Sequence, residues 1–123
     1  MGKLIIENFD AFRELEGKTL PEGEWISVTQ EMINDFAKAT GDFQWIHVDV
    51  EKAAKSSPFK KPVAHGFMSL ALLSKMIGDL IHVKSSKMGV NYGLNRVRFP
   101  SPVLVDSRLK LVANIANIEN YGD

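Results

Sequence analysis

The stretch from residue 67 to residue 81 is apolar almost all the way round, and it constrains the fold more than any other feature. Its apolar side chains are Phe67, Met68, Leu70, Ala71, Leu72, Leu73, Met76, Ile77, Leu80 and Ile81. A helix without a polar face is either buried on most sides or lies in a membrane. This helix would be about 22 Å long, short of the ~30 Å hydrocarbon core of a bilayer, and Lys75 and Asp79 interrupt it. The stretch therefore predicts a central core helix.

Composition and charge narrow the class of protein. The chain has 123 residues, 45% of them apolar and 24% charged, which is typical of one globular domain over residues 1–123. Fifteen basic residues balance fifteen acidic ones, so no long-range field favours nucleic acid or an anionic membrane surface. The absence of cysteine excludes a disulfide framework, a thiolate metal site and a thiol nucleophile. The N-terminal residues do not resemble a signal peptide, so we expect a cytoplasmic protein.

A second helix is predicted to end just before a polar motif. Thr29 is a good N-cap, and an apolar stripe follows at Met32, Ile33, Phe36 and Ala37. Gly41 stands where a glycine with positive φ would stop this helix. Asp49 is the predicted cap of a further short helix over residues 50–54.

The other elements are less regular. Residues 4–15 have roughly helical spacing, with Asn8 or Asp10 as the cap, and residues 24–28 suggest a short strand. Residues 90–99 are β-prone. Residues 103–115 alternate apolar and polar side chains with the period of a half-buried strand. One buried helix followed by strands indicates the α+β class.

The motif Gly41-Asp42-Phe43-Gln44-Trp45-Ile46-His47 holds a carboxylate and an imidazole five residues apart. Such a pair can hold and polarise a water molecule if the loop folds both side chains into one pocket. By itself the pair is weak evidence, because Gly-Asp is an ordinary turn dipeptide. Gly66, at the start of the apolar helix, has a backbone N–H without an intrahelical partner.

Three separated segments resemble one known family. They are residues 41–47, residues 63–67 (VAHGF) and residues 91–100 (NYGLNRVRFP). In this order they resemble the MaoC-like, R-specific enoyl-CoA hydratase (hydratase 2) family, in particular its nodulation-protein-N-like branch. The chain departs from the family at Gln44-Trp45, where Asn-Pro is commoner. It also ends where family members usually continue with one or two more strands.

The resemblance implies a fold and an activity. The fold would be a hot dog, an antiparallel sheet wrapped around the helix from Phe67 to Ile81, apparently short at its C-terminus. The reaction would be reversible hydration of trans-2-enoyl-CoA to (R)-3-hydroxyacyl-CoA. Asp42 and His47 would hold the water, and the Gly66 N–H would stabilise the thioester oxygen. Neither a cofactor nor a metal ion is implied, and family members assemble as homodimers or higher homo-oligomers.

Further residues are weaker candidates for the same site. Ser74 could hydrogen-bond Asp42, as the family pattern implies, or its own i−4 carbonyl. Gln44 is a candidate for support of the loop. Substrate contacts are expected from His65, Phe67, Tyr92, Asn95 and Arg98; ordinary packing or solvent-facing positions are the alternative for this set.

Two other functions stay open at this point. The substrate thioester could be carried by acyl carrier protein rather than by CoA. The chain could instead bind acyl thioesters without turning them over, which the Gln44-Trp45 variant and the short C-terminus both favour. The expected partners are the thioester and further copies of the chain, and neither nucleic acid nor a membrane is expected as a partner.

Overall fold

The structure, a computed structural model, describes residues 3–122 and contains two compact units. The first unit comprises the described residues up to Glu24, Ser74–Asn95 and the residues from Lys110 onward. The second comprises Trp25–Leu73 and Arg96–Leu109.

The helices and strands are short, and five of the helices follow one another between β2 and β3. The helices are α1 (Phe9–Arg13), α2 (Gln30–Thr40), α3 (Trp45–Val48), α4 (Val50–Ser56), α5 (Gly66–Ala71) and α6 (Leu73–Leu80). The strands are β1 (Leu4–Ile6), β2 (Ile26–Ser27), β3 (Ile81–Val83) and β4 (Arg108–Leu109). Within residues 3–122, none of the helices is long and apolar enough to cross a bilayer.

The first unit begins with a parallel strand pair. Strand β1 lies beside β3, with Leu4 opposite Ile81 and Ile6 opposite Val83. The helix predicted from residue 4 is therefore wrong for its first three residues, because their backbone pairs with a distant strand. Helix α1 begins only after Asn8, whose side chain accepts a hydrogen bond from the Ala11 N–H at 2.9 Å. This confirms the predicted cap.

Residues 110–115 are extended and pair with residues 18–23 inside the first unit. The Leu20 N–H donates to the Ala113 carbonyl at 2.8 Å, and the Gly23 N–H donates to the Leu111 carbonyl at 2.9 Å. Apolar and exposed side chains alternate here as predicted, with Val112 exposed and Ala113 half-buried. The pairing is irregular, so this part of the predicted strand lacks a long continuous ladder.

The core of the second unit surrounds helix α2. Val28, Ile33, Ala64 and Met68 form its buried centre. The helix has the two predicted ends. Thr29 Oγ1 accepts a hydrogen bond from the Met32 N–H at 3.2 Å, and Gly41 has a φ of 82°. Burial of one face and two satisfied ends together explain why this segment is helical.

Antiparallel contacts hold the segment that leads into α5. Strand β2 pairs with β4, and Val63 forms an isolated bridge with Leu104. The Ala64 N–H donates to the Val103 carbonyl at 2.8 Å, and the Val105 N–H donates to the Pro62 carbonyl at 2.9 Å. The backbone of residues 62–64 is therefore fixed where α5 begins.

The predicted central helix differs from expectation in two respects. It is divided into α5 and α6, which Leu72 separates, and Ile81 already belongs to β3. The prediction that this helix is buried on most sides is also wrong for this chain, because Phe67 is 69% exposed and Ile77 is 44% exposed. In α6 the buried side chains are Met76 and Leu80, which share one face because they are four residues apart.

Residues 90–99 do not form the predicted strand. All ten side chains are exposed, and within residues 3–122 the backbone from 87 to 102 forms no backbone–backbone hydrogen bond. A strand exists only where its N–H and C=O groups find partners on a neighbouring strand. A β-prone composition is therefore not enough to make residues 90–99 a strand.

Candidate active site

The loop after α2 places Asp42 at the surface of the second unit. Gly41 ends the helix, and the Asp42 N–H donates to Thr40 Oγ1 at 3.4 Å. Asp42 Oδ1 accepts a hydrogen bond from the Gln44 N–H at 3.3 Å, the local bond typical of an Asx turn. The carboxylate is exposed, and these two bonds join Asp42 to near neighbours in sequence.

His47 is buried in the short helix α3 and has one ring nitrogen engaged. Its Nδ1 lies 2.6 Å from the Val63 carbonyl oxygen. Because a carbonyl can only accept, Nδ1 carries the hydrogen and Nε2 keeps a lone pair. Gln30 supports the backbone here by donating from Nε2 to the His47 carbonyl at 2.8 Å. In its neutral form the ring therefore has its lone pair on Nε2, as a base or acceptor requires.

His65, at the N-cap position of α5, lies against His47. The two rings stack with centroids 3.8 Å apart, and Phe36 packs on His65 with a centroid distance of 5.0 Å. His65 Nε2 donates to the backbone carbonyl of Asp42 at 2.9 Å. Its Nδ1 is buried and has no hydrogen-bond partner among residues 3–122. His65 therefore connects the start of α5 directly to the loop that carries Asp42.

These residues form a cluster of one carboxylate and two imidazoles. One potential ligand atom from each of Asp42, His47 and His65 lies within 4.8 Å of the others. The carboxylate is accessible to solvent, whereas His47 is 7% exposed and His65 is 3% exposed. This geometry can hold a water molecule between a base and an acid. The same donor types can bind a divalent cation.

Hydrogen bonds between residues 42–47 and residues 63–65 bring Gly66 to this cluster. The Val63 N–H donates to the Ile46 carbonyl at 3.0 Å, in addition to the His47–Val63 and His65–Asp42 bonds. Gly66 follows His65 as the first residue of α5, and its N–H has no acceptor among the described residues. Asp42, His47, His65 and Gly66 therefore belong to one locally cross-linked assembly.

A cavity of about 450 Å³ opens beside Gly66 within the second unit. This volume is in the range of small-molecule sites. The residues that line it include Phe59, Val63, Gly66, Ser69, Arg98 and Phe99. Ser69 Oγ is buried and has no hydrogen-bond partner in the described chain. The hydroxyl is thus available to a ligand.

Sequence reasoning missed Ser69, Phe59 and Phe99. The spacing of Ser69 from Gly66 could have indicated it, because residues three apart share one face of a helix and Ser69 is three residues after Gly66. Phe59 and Phe99 had no such signal, since both lie outside the regular helices and strands.

The other candidate residues are divided between the two units. Gln44 supports the loop through its backbone N–H, Phe67 is exposed, and Arg98 lines the cavity. In the first unit, Ser74 Oγ accepts a hydrogen bond from Asn91 Nδ2 at 3.1 Å. Also in that unit, the side chains of Tyr92 and Asn95 are exposed. The roles assigned to this set stay predictions.

Comparison with known proteins identifies the family. The family model described as "MaoC like domain" matches residues 12–123. The chain belongs to this MaoC-like family. It is similar to 3-hydroxyacyl-thioester dehydratase Z of Mycobacterium tuberculosis, with 48% identity over 107 residues that cover 87% of this chain and 70% of the relative.

Two further MaoC-like similarities bear on the branch and the fold. Nodulation protein N of Rhizobium meliloti is 50% identical over 96 residues, which cover 77% of this chain and 60% of that protein. The solved structure of the R-hydratase PhaJ1 from Pseudomonas aeruginosa matches with a TM-score of 0.67 and 28% identity. That match covers 83% of this chain and 61% of the hydratase. The predicted family, its nodulation-protein-N-like branch and the α+β hot-dog fold are thereby confirmed.

Proposed function

We propose that the chain is a hydro-lyase that adds water reversibly to a trans-2-enoyl thioester, with CoA as the carrier, and forms the (R)-3-hydroxyacyl thioester. One observation carries the proposal most directly. The hydrogen bonds between residues 42–47 and 63–65 assemble a carboxylate, an imidazole with a lone pair on Nε2, and the unpartnered N–H of Gly66. The dehydratase and hydratase relatives perform chemistry of this class according to their names.

The chemistry assigns the water to Asp42 and His47. A water held between the carboxylate and His47 Nε2 attacks C3 as one of its protons passes to the pair. The electrons of the C2=C3 π bond then form a C2–H bond with a proton supplied by the same pair. The sum is one water added and no net change in oxidation state, so the reaction needs no redox cofactor. The two groups act as a unit in this step.

Gly66 has the second role, at the thioester oxygen. Negative charge develops on this oxygen as C3 is attacked, and a preorganised donor stabilises that charge most in a site shielded from water. The Gly66 N–H is the proposed donor. Ser69 supports this assignment because its unpartnered hydroxyl lines the same cavity.

Assembly and location belong to the same proposal. We expect a homodimer or a higher homo-oligomer in the cytoplasm, as the family resemblance implies. Sedimentation velocity at micromolar concentration tests the assembly, and a stable monomer would contradict it.

The decisive experiment measures loss of enoyl-thioester absorbance with crotonyl-CoA and longer enoyl-CoAs. Asp42→Asn and His47→Ala should each lower the rate by about 10²- to 10⁴-fold, the usual contribution of general acid–base catalysis. Asp35→Asn and His82→Ala are matched controls, because both side chains are exposed and lie outside the cluster. Their rates should equal those of the parent protein.

The other outcomes separate the alternatives. Unchanged rates in both Asp42→Asn and His47→Ala would contradict the mechanism. Turnover of enoyl-acyl carrier protein without turnover of enoyl-CoA would show that the carrier is acyl carrier protein and not CoA. Binding of enoyl thioesters without turnover at any chain length, on either carrier, would favour the acyl-thioester-binding function.

A further inference from the structure

The ring of Phe99 lies directly over Gly66. A Cβ atom placed on Gly66 would be 2.9 Å from Phe99 Cδ2 and 3.0 Å from Cε2. Carbon atoms in favourable contact are about 3.5–4.0 Å apart, so the ring already occupies the space of a side chain at position 66. Alanine at position 66 would therefore fit only if the ring shifted.

Backbone conformation does not explain this glycine. Among the described glycines, Gly17 and Gly41 have positive φ, whereas Gly66 does not. Alanine at position 66 would consequently meet no strain from a positive φ, and the three heavy atoms nearest to its Cβ would all belong to the Phe99 ring. The contact between these two residues is thus a specific steric relationship that substitutions at either position can probe.

Phe99 forms a wall of the cavity and is not a core residue. Its side chain is 48% exposed, although it touches Phe67 edge-on with ring centroids 6.0 Å apart. Pro100 and Pro102 follow it along the cavity lining and restrict the backbone there, because the proline ring fixes φ. A half-exposed ring on a restricted backbone is suited to contact a ligand.

The position of the ring determines which part of a ligand it would meet. If a thioester oxygen accepts the Gly66 N–H, the carbonyl carbon and C2 lie one and two covalent bonds from that oxygen. A substituent on C2 that lies on the Gly66 side of the ligand would then meet the wall beside Gly66. In this structure the Phe99 ring forms that wall.

We propose that Phe99 is a specificity-determining residue, whose ring excludes enoyl thioesters branched at C2 and admits unbranched ones. This inference rests on the proposed function and deepens it by naming the substrate class. It assigns Phe99 no part in proton transfer. Removal of the ring should therefore alter the choice of substrate far more than the rate with the unbranched substrate.

The test compares crotonyl-CoA with its 2-methyl analogue, tigloyl-CoA. The ratio of kcat/KM for the branched substrate to that for the unbranched one should rise about 10- to 100-fold in Phe99→Ala, since one methyl group in an apolar pocket is discriminated by about 10- to 200-fold. Phe99→Leu should give a smaller rise. Phe9→Ala is the matched control, because Phe9 lies in α1 and does not line the cavity.

A second pair of variants tests the contact itself. Gly66→Ala should lower kcat/KM for crotonyl-CoA, and Phe99→Ala in the same chain should recover part of the loss by removing the colliding ring. No recovery in the double variant would show that the ring is not what requires glycine. Circular dichroism and thermal melting establish that each variant is folded. If Phe99→Ala does not fold, the substrate ratio of Phe99→Leu tests the role of Phe99.

The outcomes distinguish this inference from the proposed function. Absence of turnover by the parent chain with any enoyl thioester overturns both. Normal turnover of crotonyl-CoA with an unchanged substrate ratio in Phe99→Ala and Phe99→Leu overturns the role of Phe99 alone and leaves the hydro-lyase assignment intact.

Discussion

The imidazole rings of His47 and His65 stack with their centroids 3.8 Å apart and their planes inclined by 23°. Each ring also donates a hydrogen bond to the segment that carries the other. His47 bonds the Val63 carbonyl, and His65 bonds the Asp42 carbonyl. This reciprocal arrangement joins the loop with the carboxylate to the segment that ends at Gly66.

The reciprocal bonds predict different tautomers for the two rings. His47 should carry its hydrogen on Nδ1 and His65 on Nε2, because a backbone carbonyl accepts but cannot donate. Two-bond ¹H–¹⁵N correlation spectra of the folded protein, with the His82→Ala variant to assist assignment, measure this directly. An Nε2–H tautomer for neutral His47 would show that the bond to Val63 does not persist in solution.

Replacing His65 should impair catalysis indirectly, by releasing Asp42. His65→Ala loses the bond to the Asp42 carbonyl and the stack on His47; we expect stability to fall by about 1–3 kcal/mol. A misplacement of about 1 Å can cost on the order of 10²-fold in rate, so kcat should fall while KM changes little. His65→Gln retains an N–H donor and should recover part of kcat. Equal loss in both variants would contradict positioning through this bond.

Ser69→Ala should change activity and stability in opposite directions. The Ser69 hydroxyl is buried without a partner, a state that costs about 1–3 kcal/mol, so its removal should leave the free energy of unfolding unchanged or raise it. We propose that the Ser69 hydroxyl donates a second hydrogen bond to the thioester oxygen, beside that of the Gly66 N–H. Its loss should lower kcat/KM by about tenfold, as one ordinary hydrogen bond implies. Ser27→Ala, an exposed site in β2, is the control. Destabilisation with full activity would refute this assignment.

Gly41→Ala should destabilise the end of α2 and disturb Asp42. The φ of 82° at this position costs a residue with a Cβ about 1–2 kcal/mol, which urea denaturation can measure. Gly41→Asn should cost less, because asparagine tolerates the left-handed region. Gly89→Ala is a suitable control, since Gly89 has open space around it and no positive φ. An equal effect at positions 41 and 89 would contradict the predicted strain.

Local features were predictable from residues close together in sequence. Asn8, Thr29 and Asp49 cap helices as expected, because a cap is a bond between a side chain and a backbone N–H three residues on. Gly41 ends α2 for an equally local reason. The relation of Asp42 to His47 depends on a loop of four intervening residues, and the motif resemblance anticipated it together with Gly66.

Contacts between distant segments were not predictable in the same way. The parallel pairing of β1 with β3 and the unpaired backbone of residues 90–99 depend on which segments become neighbours after folding. His65 is similar: its position beside Gly66 was evident, but its bond to Asp42 crosses 23 residues. Hydrophobic periodicity does not predict contacts between residues so far apart in sequence.

The amino-acid sequence by itself determined the helix ends, the family and the identity of the candidate water-binding pair, because these depend on short-range bonds and on motif spacing. Only the tertiary structure decided that His65 holds Asp42, that Ser69 Oγ has no partner within residues 3–122 and that Phe99 covers Gly66. The physical reason is that burial and van der Waals contact are properties of neighbours in space. Gly66 illustrates both: its residue type was visible in the sequence, whereas the ring that requires a glycine there lies 33 residues further along the chain.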